Sequence, residues 1–232
     1  MKVCTDACLF GALVAGCRTC LPPGRFPPIA GEGDVTHCLD IGTGTGLLSL
    51  MIAQKNSNVK IDAVEIDEQA AAQARENITA SSWAENVTVF NEDILTFDTG
   101  KKYDCIFSNP PFFEDDLLSI DNAKNKAKHD TSLNLTQLLQ VIDRYLNPTG
   151  FFAVLLPYHR VDYFIEEATK FGLYLSKKIS VKQTLKHKFF RGILFFNRKE
   201  TEPHLMELII KDAEHNYTPE FAAALKDYYL FL

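Results

Sequence analysis

Short apolar runs alternate with segments of helical spacing from about residue 37 to residue 171, and this alternation restricts the fold more than any other feature of the chain. Residues 37–41, 59–65, 87–90, 103–107 and 151–156 read as buried strands. Residues 46–54, 67–80, 133–145 and 160–171 carry apolar side chains at helical spacing, and Asn147-Pro148-Thr149-Gly150 is expected to stop the third of these helices. Strand–helix units of this length imply a mostly parallel sheet with helices on both faces. The ending breaks the pattern. Residues 173–179, 191–197 and 205–210 read as successive strands with little helix between them, which suggests an antiparallel close to the sheet. A helix at about 5–16 and a Pro/Gly-rich connector at 21–33 precede the alternating part. The 232 residues suit a single domain. Its expected parts are 1–33 as helix and connector, 34–172 as the core, and 173–232 as antiparallel strands and tail.

The sequence holds no apolar run of the roughly 18 residues needed to span a bilayer. Its first 17 residues look superficially like a signal peptide, but Asp6 interrupts them, Lys2 is the sole cation, and no small-residue cleavage site follows. The expected location is the cytoplasm. There the six cysteines read as reduced thiols. Cys17 and Cys20 form a C-x-x-C pair without a second one. A cluster with Cys4 and Cys8 is the alternative to plain burial. The six histidines show no ligand spacing, so no metal is expected.

The first expected strand runs directly into Asp40-Ile41-Gly42-Thr43-Gly44-Thr45-Gly46, which opens a helix. Glycines there allow a tight turn and close approach to a ligand. The next strand ends in Glu65, 19 residues beyond Gly46, a place suited to accept hydrogen bonds from ribose hydroxyls. Dinucleotide sites favour G-x-G-x-x-G facing a pyrophosphate. Here the spacing is G-x-G-x-G, preceded by a carboxylate that repels a diphosphate and attracts an ammonium. S-adenosylmethionine has an ammonium, a sulfonium, a ribose and no phosphate, so it is the expected cofactor, with Gly42, Thr43 and Gly44 at the loop. After the third strand, Asp93 is placed to accept from an adenine amine, with Ile94 beside the ring. Successive strand ends thus supply Asp40, Glu65 and Asp93 along one sheet edge, where ligands bind in such folds.

The fourth strand ends in Asn109-Pro110-Pro111-Phe112. Two prolines fix two φ angles and remove two donors, leaving a stiff loop with free carbonyls and an aromatic at its end. A planar amine is a poor nucleophile because its lone pair is delocalised. Acceptors for both of its hydrogens, Asn109 Oδ1 and the Pro110 carbonyl, draw charge toward nitrogen and favour its pyramidal form. Phe112 is suited to stack on the base and hold the amine in line.

In these motifs and their order the chain resembles the class I methyltransferases with an (Asn/Asp/Ser)-Pro-Pro-(Tyr/Phe) motif, which act on planar nitrogens. The first residues, MKV-x-TD-x-x-L-x-GA, and the last, NYTPEF and YLFL, are similar to those of the bacterial tRNA(Val) adenine-N6 methyltransferases. So are the glycine loop, Ala70-Ala71-Ala72-Gln73-Ala74-Arg75-Glu76-Asn77-Ile78 and Ser82-Trp83-Ala84-Glu85. The resemblance implies a Rossmann-like α/β fold with a seven-stranded, mostly parallel sheet and one antiparallel strand near the end. It implies N6-methylation of the adenine 3′ to the anticodon in tRNA(Val). It further implies that Lys2, Thr5, Ile66 and Asn109 join the cofactor site and that Asn109, Pro110, Pro111 and Phe112 form the catalytic loop. Members of the family usually carry a further stretch before MKV-x-TD, so the expectation is either that Met1 matches an internal methionine of theirs or that the chain is truncated ahead of it. The segment 17–33 is longer than the family pattern leads one to expect.

The net charge of −6 opposes indiscriminate nucleic-acid binding, yet residues 168–199 hold nine Lys or Arg and no Asp or Glu. Lys186, Lys188 and Arg191 are the densest group and the expected tRNA contacts. Lys124 and Lys128, just past the proline loop, form a second candidate surface. A monomer is expected. Three other readings remain on these residues: an rRNA guanine-N2 methyltransferase, a protein-glutamine methyltransferase, and a cofactor-binding chain without catalysis.

Overall fold

The computed structural model describes residues 5–16, 36–56, 58–110 and 133–231. Eight strands form one sheet in the order β3-β2-β1-β4-β5-β7-β6-β8. They are β1 (Thr36–Ile41), β2 (Val59–Val64), β3 (Val87–Phe90), β4 (Tyr103–Ser108), β5 (Leu146–Pro157), β6 (Tyr174–Lys182), β7 (Phe189–Asn197) and β8 (His204–Ile209). The helices are α1 (Thr5–Ala15), α2 (Leu47–Lys55), α3 (Glu68–Thr79), α4 (Leu135–Tyr145), α5 (Val161–Lys170) and α6 (Pro219–Leu225).

Strand alternation sends successive side chains to opposite faces. On β5, Phe151, Ala153 and Leu155 meet a layer that includes α1, α2, α3 and α6. Phe152, Val154 and Leu156 meet α4 and α5. In β7, Ile193 and Phe195 join the first layer, Leu194 and Phe196 the second. Gly11 of α1 lies so near α2 that a Cβ would stand 2.7 Å from Met51 Sδ, which fixes the close approach of these two helices. Local chemistry sets the helix starts. Asp67 caps α3 by accepting from the Ala70 N–H at 2.8 Å. Asn134 and Gln137 form a reciprocal capping box on α4.

The sheet has eight strands rather than the expected seven, because β8 pairs parallel with the outer edge of β6, so the close is not antiparallel throughout. β7 alone is antiparallel to both its neighbours, the one antiparallel strand expected near the end. α4 ends at Tyr145, ahead of Asn147-Pro148-Thr149-Gly150, as expected. Those four residues already belong to β5, which starts earlier than expected, and Asn147 Nδ2 donates to Asp104 Oδ1 at 2.6 Å.

Sequential strands spread to one side of β1 through β2 and β3. The chain then crosses to the other side for β4. The order reverses between β1 and β4, and their carboxyl ends open a crevice there, the usual ligand position in such sheets.

Candidate active site

The loop after β1 is bent by glycine. Gly42, Gly44 and Gly46 have φ of 72°, 58° and 83°, a region that side chains with a Cβ rarely adopt. A Cβ on Gly42 would meet nothing within 4 Å, so the backbone there borders open space. Gly46 sits instead against Ile78 and Ala74 of α3. Val64 at the end of β2 holds the loop by accepting from the N–H groups of Gly42 and Thr43.

Asp40 is fully buried at the carboxyl end of β1. Its Oδ2 accepts from the hydroxyls of Thr43 at 2.6 Å and Ser49 at 2.7 Å. Its Oδ1 has no hydrogen-bond partner among the described residues. Burial pushes the carboxyl up from 3.8 to about 6, against the lowering effect of the two hydroxyls, and the Glu65 charge adds to the rise. A buried carboxylate oxygen without a partner is costly unless a donor or a cation completes it.

Glu65 follows β2. Its Oε2 accepts from the Gly44 N–H at 2.8 Å and its Oε1 from the Asp67 N–H at 3.0 Å. These bonds orient the carboxylate, which retains further lone pairs for a ligand. Ile66 is 57% exposed, an apolar side chain left in solvent beside it. Asn91 ties the ends of β2 and β3 together by donating to the Glu65 and Ile66 carbonyls. Asp93 Oδ1 accepts from the Leu95 N–H at 2.9 Å and so closes its own turn. Ile94 differs from expectation. It is 7% exposed and packs in the core with Phe97, which leaves Ile66 and Leu95 as the exposed apolar groups at this edge.

Asn109 follows β4, the strand beside β1. Ser108 pairs with Ile41 in register, and its hydroxyl donates to the Ile41 carbonyl at 2.8 Å, locking the two strand ends together. Asn109 Oδ1 is the second buried oxygen at this edge without a partner among the described residues. Pro110 follows, buried. Pro111, Phe112, Lys2, Lys124 and Lys128 lie outside the described residues, as do Cys4, Cys17 and Cys20. Cys8, Cys38 and Cys105 are buried cysteines outside any disulfide.

Thr5 begins α1. Its neighbour Asp6 accepts from Arg191 Nε at 2.7 Å. Arg191 pairs with Pro157, the last residue of β5, so this contact brings the first turn of α1 toward the carboxyl edge. Arg191 is therefore engaged by an acid. The same holds for much of the basic run. Lys170 pairs with Glu167, Lys182 with Glu207 and Arg198 with Asp143. The stretch lacks acids in sequence, but the fold supplies them from elsewhere. Lys186 and Lys188 remain exposed in the turn between β6 and β7, with no partner among the described residues. Because β6 runs parallel to the central strands, that turn also lies at the carboxyl edge.

Among the described residues no group of three or more His, Cys, Asp or Glu could hold a metal ion, and no helix is long and apolar enough to cross a membrane. Ser49 is the site residue that sequence reasoning missed. Its signal was a lone hydroxyl within the apolar run Leu47-Leu48-Ser49-Leu50-Met51.

A family model for the methyltransferase small domain matches residues 30–152. A tRNA1(Val) (adenine(37)-N6)-methyltransferase from Dyadobacter fermentans is 39% identical over 234 residues, covering 99% of this chain and 91% of the relative. One of the same description from Klebsiella pneumoniae is 38% identical, covering 100% and 89%. In fold, the chain is similar to a predicted O-methyltransferase from Agrobacterium tumefaciens, with a TM-score of 0.66 over 95% of each chain at 12% identity. With glycine loop, strand-end acids and the Asn109 turn on one edge of a sheet shared with methyltransferases, and with relatives that match it from end to end, the chain belongs to the tRNA1(Val) (adenine(37)-N6)-methyltransferase family.

Proposed function

We propose that this protein transfers a methyl group from S-adenosylmethionine to N6 of adenine 37 in tRNA1(Val). The observation that carries the reading is a pair of buried oxygens without partners, Asp40 Oδ1 and Asn109 Oδ1, at the ends of adjacent strands. One suits an ammonium and the other an amine hydrogen.

When bound, the cofactor supplies an electrophilic methyl group. The chain supplies position and charge. Asp40 is placed for the ammonium of the methionine moiety, and Glu65 for ribose hydroxyls. Gly42 and Gly44 let the backbone come close, and Ile66 offers an apolar contact for the adenine ring. Thr5, Lys2, Thr43, Asp93 and Ile94 complete this group in the family reading, Ile94 from within the core.

Asn109 Oδ1 and the Pro110 carbonyl accept the two hydrogens of the substrate amine, which localises the lone pair on nitrogen. Pro111 stiffens the turn and Phe112 stacks on the base. No strong base is required, since the proton leaves only after nitrogen has become cationic. Lys186 and Lys188 neutralise phosphates of the anticodon loop, with Lys124 and Lys128 as a second contact surface. The reading carries with it a cytoplasmic, monomeric enzyme built on one domain.

The test is mass mapping of methyl groups after incubation with cofactor and unmodified tRNA, rRNA and protein extract. Methyl-adenine at position 37 of tRNA1(Val) is the expected product. Label on an rRNA guanine or a protein glutamine instead would overturn the assignment.

A further inference from the structure

Beyond the cofactor crevice, the carboxyl edge carries an aromatic pair. β5 outruns its neighbour β4: Ser108, the last residue of β4, pairs with Val154, and β5 continues to Pro157. Tyr158 follows at once in a 3₁₀ turn. It therefore stands above the strand end that carries Asn109, one strand to the side. Its ring lies against Phe189, the first residue of β7, with centroids 4.8 Å apart and planes inclined by 31°. Both rings are half-buried.

Cations surround this pair. Lys182 Nζ lies 4.1 Å from the centre of the Phe189 ring and is held there by Glu207. The turn leading into Phe189 is preformed. Thr184 Oγ1 meets His187 Nδ1 at 2.8 Å and the Lys186 N–H at 3.3 Å, while its carbonyl accepts from the His187 N–H. That turn presents Lys186 and Lys188 to solvent, with Leu185 69% exposed between them and Thr184. An aromatic surface next to a turn that carries two exposed lysines is the composition that binds single-stranded nucleic acid. Bases stack on the rings, and the cations follow the phosphates.

We propose that Tyr158, backed by Phe189, is the stacking platform for a base next to the target adenine, and that the β6–β7 turn holds the phosphates of the same strand. This rests on the RNA reading of the active site and adds to it a means of keeping the target base extruded. A base lifted from an anticodon loop leaves its neighbour unstacked, and an aromatic face one strand away from Asn109 replaces that lost stacking. The face does not depend on base identity, so the platform supplies affinity and position while Asn109 and the proline loop select the amine.

The test uses a tRNA1(Val) anticodon stem-loop with 2-aminopurine at position 36 or 38, read by fluorescence on binding. The parent should quench one of the two probes. Tyr158→Leu should abolish that quenching and weaken RNA binding about 5- to 150-fold, the worth of one base stacked on an aromatic ring. Its dependence on salt should stay like the parent's, since no cation is lost. Tyr158→Trp should keep quenching and affinity, a rescue that a mere packing role does not produce. Unchanged S-adenosylmethionine affinity certifies that each variant is folded. A folded Tyr158→Leu variant with normal quenching and RNA affinity overturns the platform while leaving the activity intact. A parent that methylates protein or rRNA but not tRNA overturns the underlying reading, and the platform with it.

Discussion

Asp40 shows how one residue balances stability against binding. Its folded pKa of about 6 lies above the ordinary 3.8, because burial opposes the charged form more than the Thr43 and Ser49 hydroxyls favour it. Between those two values the folded state holds a proton that the unfolded state has lost. Stability therefore falls as pH rises through that window and stays lower above it, by about 3 kcal/mol for a shift of this size. Asp40→Asn should raise the melting temperature of the unliganded protein at pH 8 and abolish S-adenosylmethionine binding by calorimetry. A loss of stability at that pH would contradict the burial argument. An ammonium at Oδ1 requires the ionised form, so parent affinity for the cofactor should drop about tenfold per pH unit below pH 6. Asn109 acts on chemistry instead. Asn109→Ala should lower kcat for tRNA methylation by about 10²–10³ while the cofactor Kd changes little, since one oriented acceptor is lost at the reacting nitrogen. Equal loss of binding and rate would make it a structural residue.

Among elements, the turn between β6 and β7 and the first turn of α1 divide the basic run by role. Lys186 and Lys188 are exposed and unpaired, so each Ala replacement should flatten the log–log salt dependence of tRNA binding by about 0.7–0.9. Arg191 is tied to Asp6, with both side chains at most one quarter exposed. Arg191→Ala and Asp6→Ala should each cost about 1–3 kcal/mol in denaturant titrations, between the values for surface and buried pairs, and the double variant should cost less than their sum. The salt slope of Arg191→Ala should match the parent's; a reduced slope would return Arg191 to the RNA surface. The sequence shows the nine cations but not the acids that meet them, because Asp6, Asp143 and Glu207 come from distant segments. Periodicity located the central strands, whose alternation is decided by two buried faces. It missed the start of β5, where turn-forming residues are held extended by Asp104. It also missed α6, which at seven residues is too short for a helical period to register. Asp40, Glu65 and Asn109 stood out as candidates because Asp40 is the penultimate residue of β1, and Glu65 and Asn109 directly follow β2 and β4. The burial of Ile94 was not legible, since of two adjacent apolar residues it is Leu95 that takes the exposed position while Ile94 turns into the core.

Across the whole molecule, the C-terminal segment bears on the carboxyl edge through α1, whose Thr5 and Cys8 side chains meet Tyr229. α6 buries Phe221 and Leu225 in the layer shared by α1 and α2. Thr218 caps it by accepting from the Phe221 N–H, and Pro219 occupies its first turn. The residues after it run along α2. Asp227 pairs with Lys55, its carbonyl accepts from Gln54, and the Tyr228 hydroxyl donates to the Met51 carbonyl. Tyr217 and Tyr229 pack around Phe221, so this C-terminal segment and α1 clasp the same helix. α1 in turn places Asp6 beside Arg191, while Thr5 meets Tyr229. Phe221→Ala removes a fully buried ring and should cost about 3–5 kcal/mol of stability. If α1 depends on that layer for its position, hydrogen exchange should rise along Thr5–Ala15 before it rises in the central strands. S-adenosylmethionine affinity should fall in the still-folded variant, since Thr5 then no longer has a fixed place near the crevice. A variant that loses stability yet keeps parental exchange in α1 and parental affinity would mean that the C-terminal segment supports the core alone and the cofactor site stands without it.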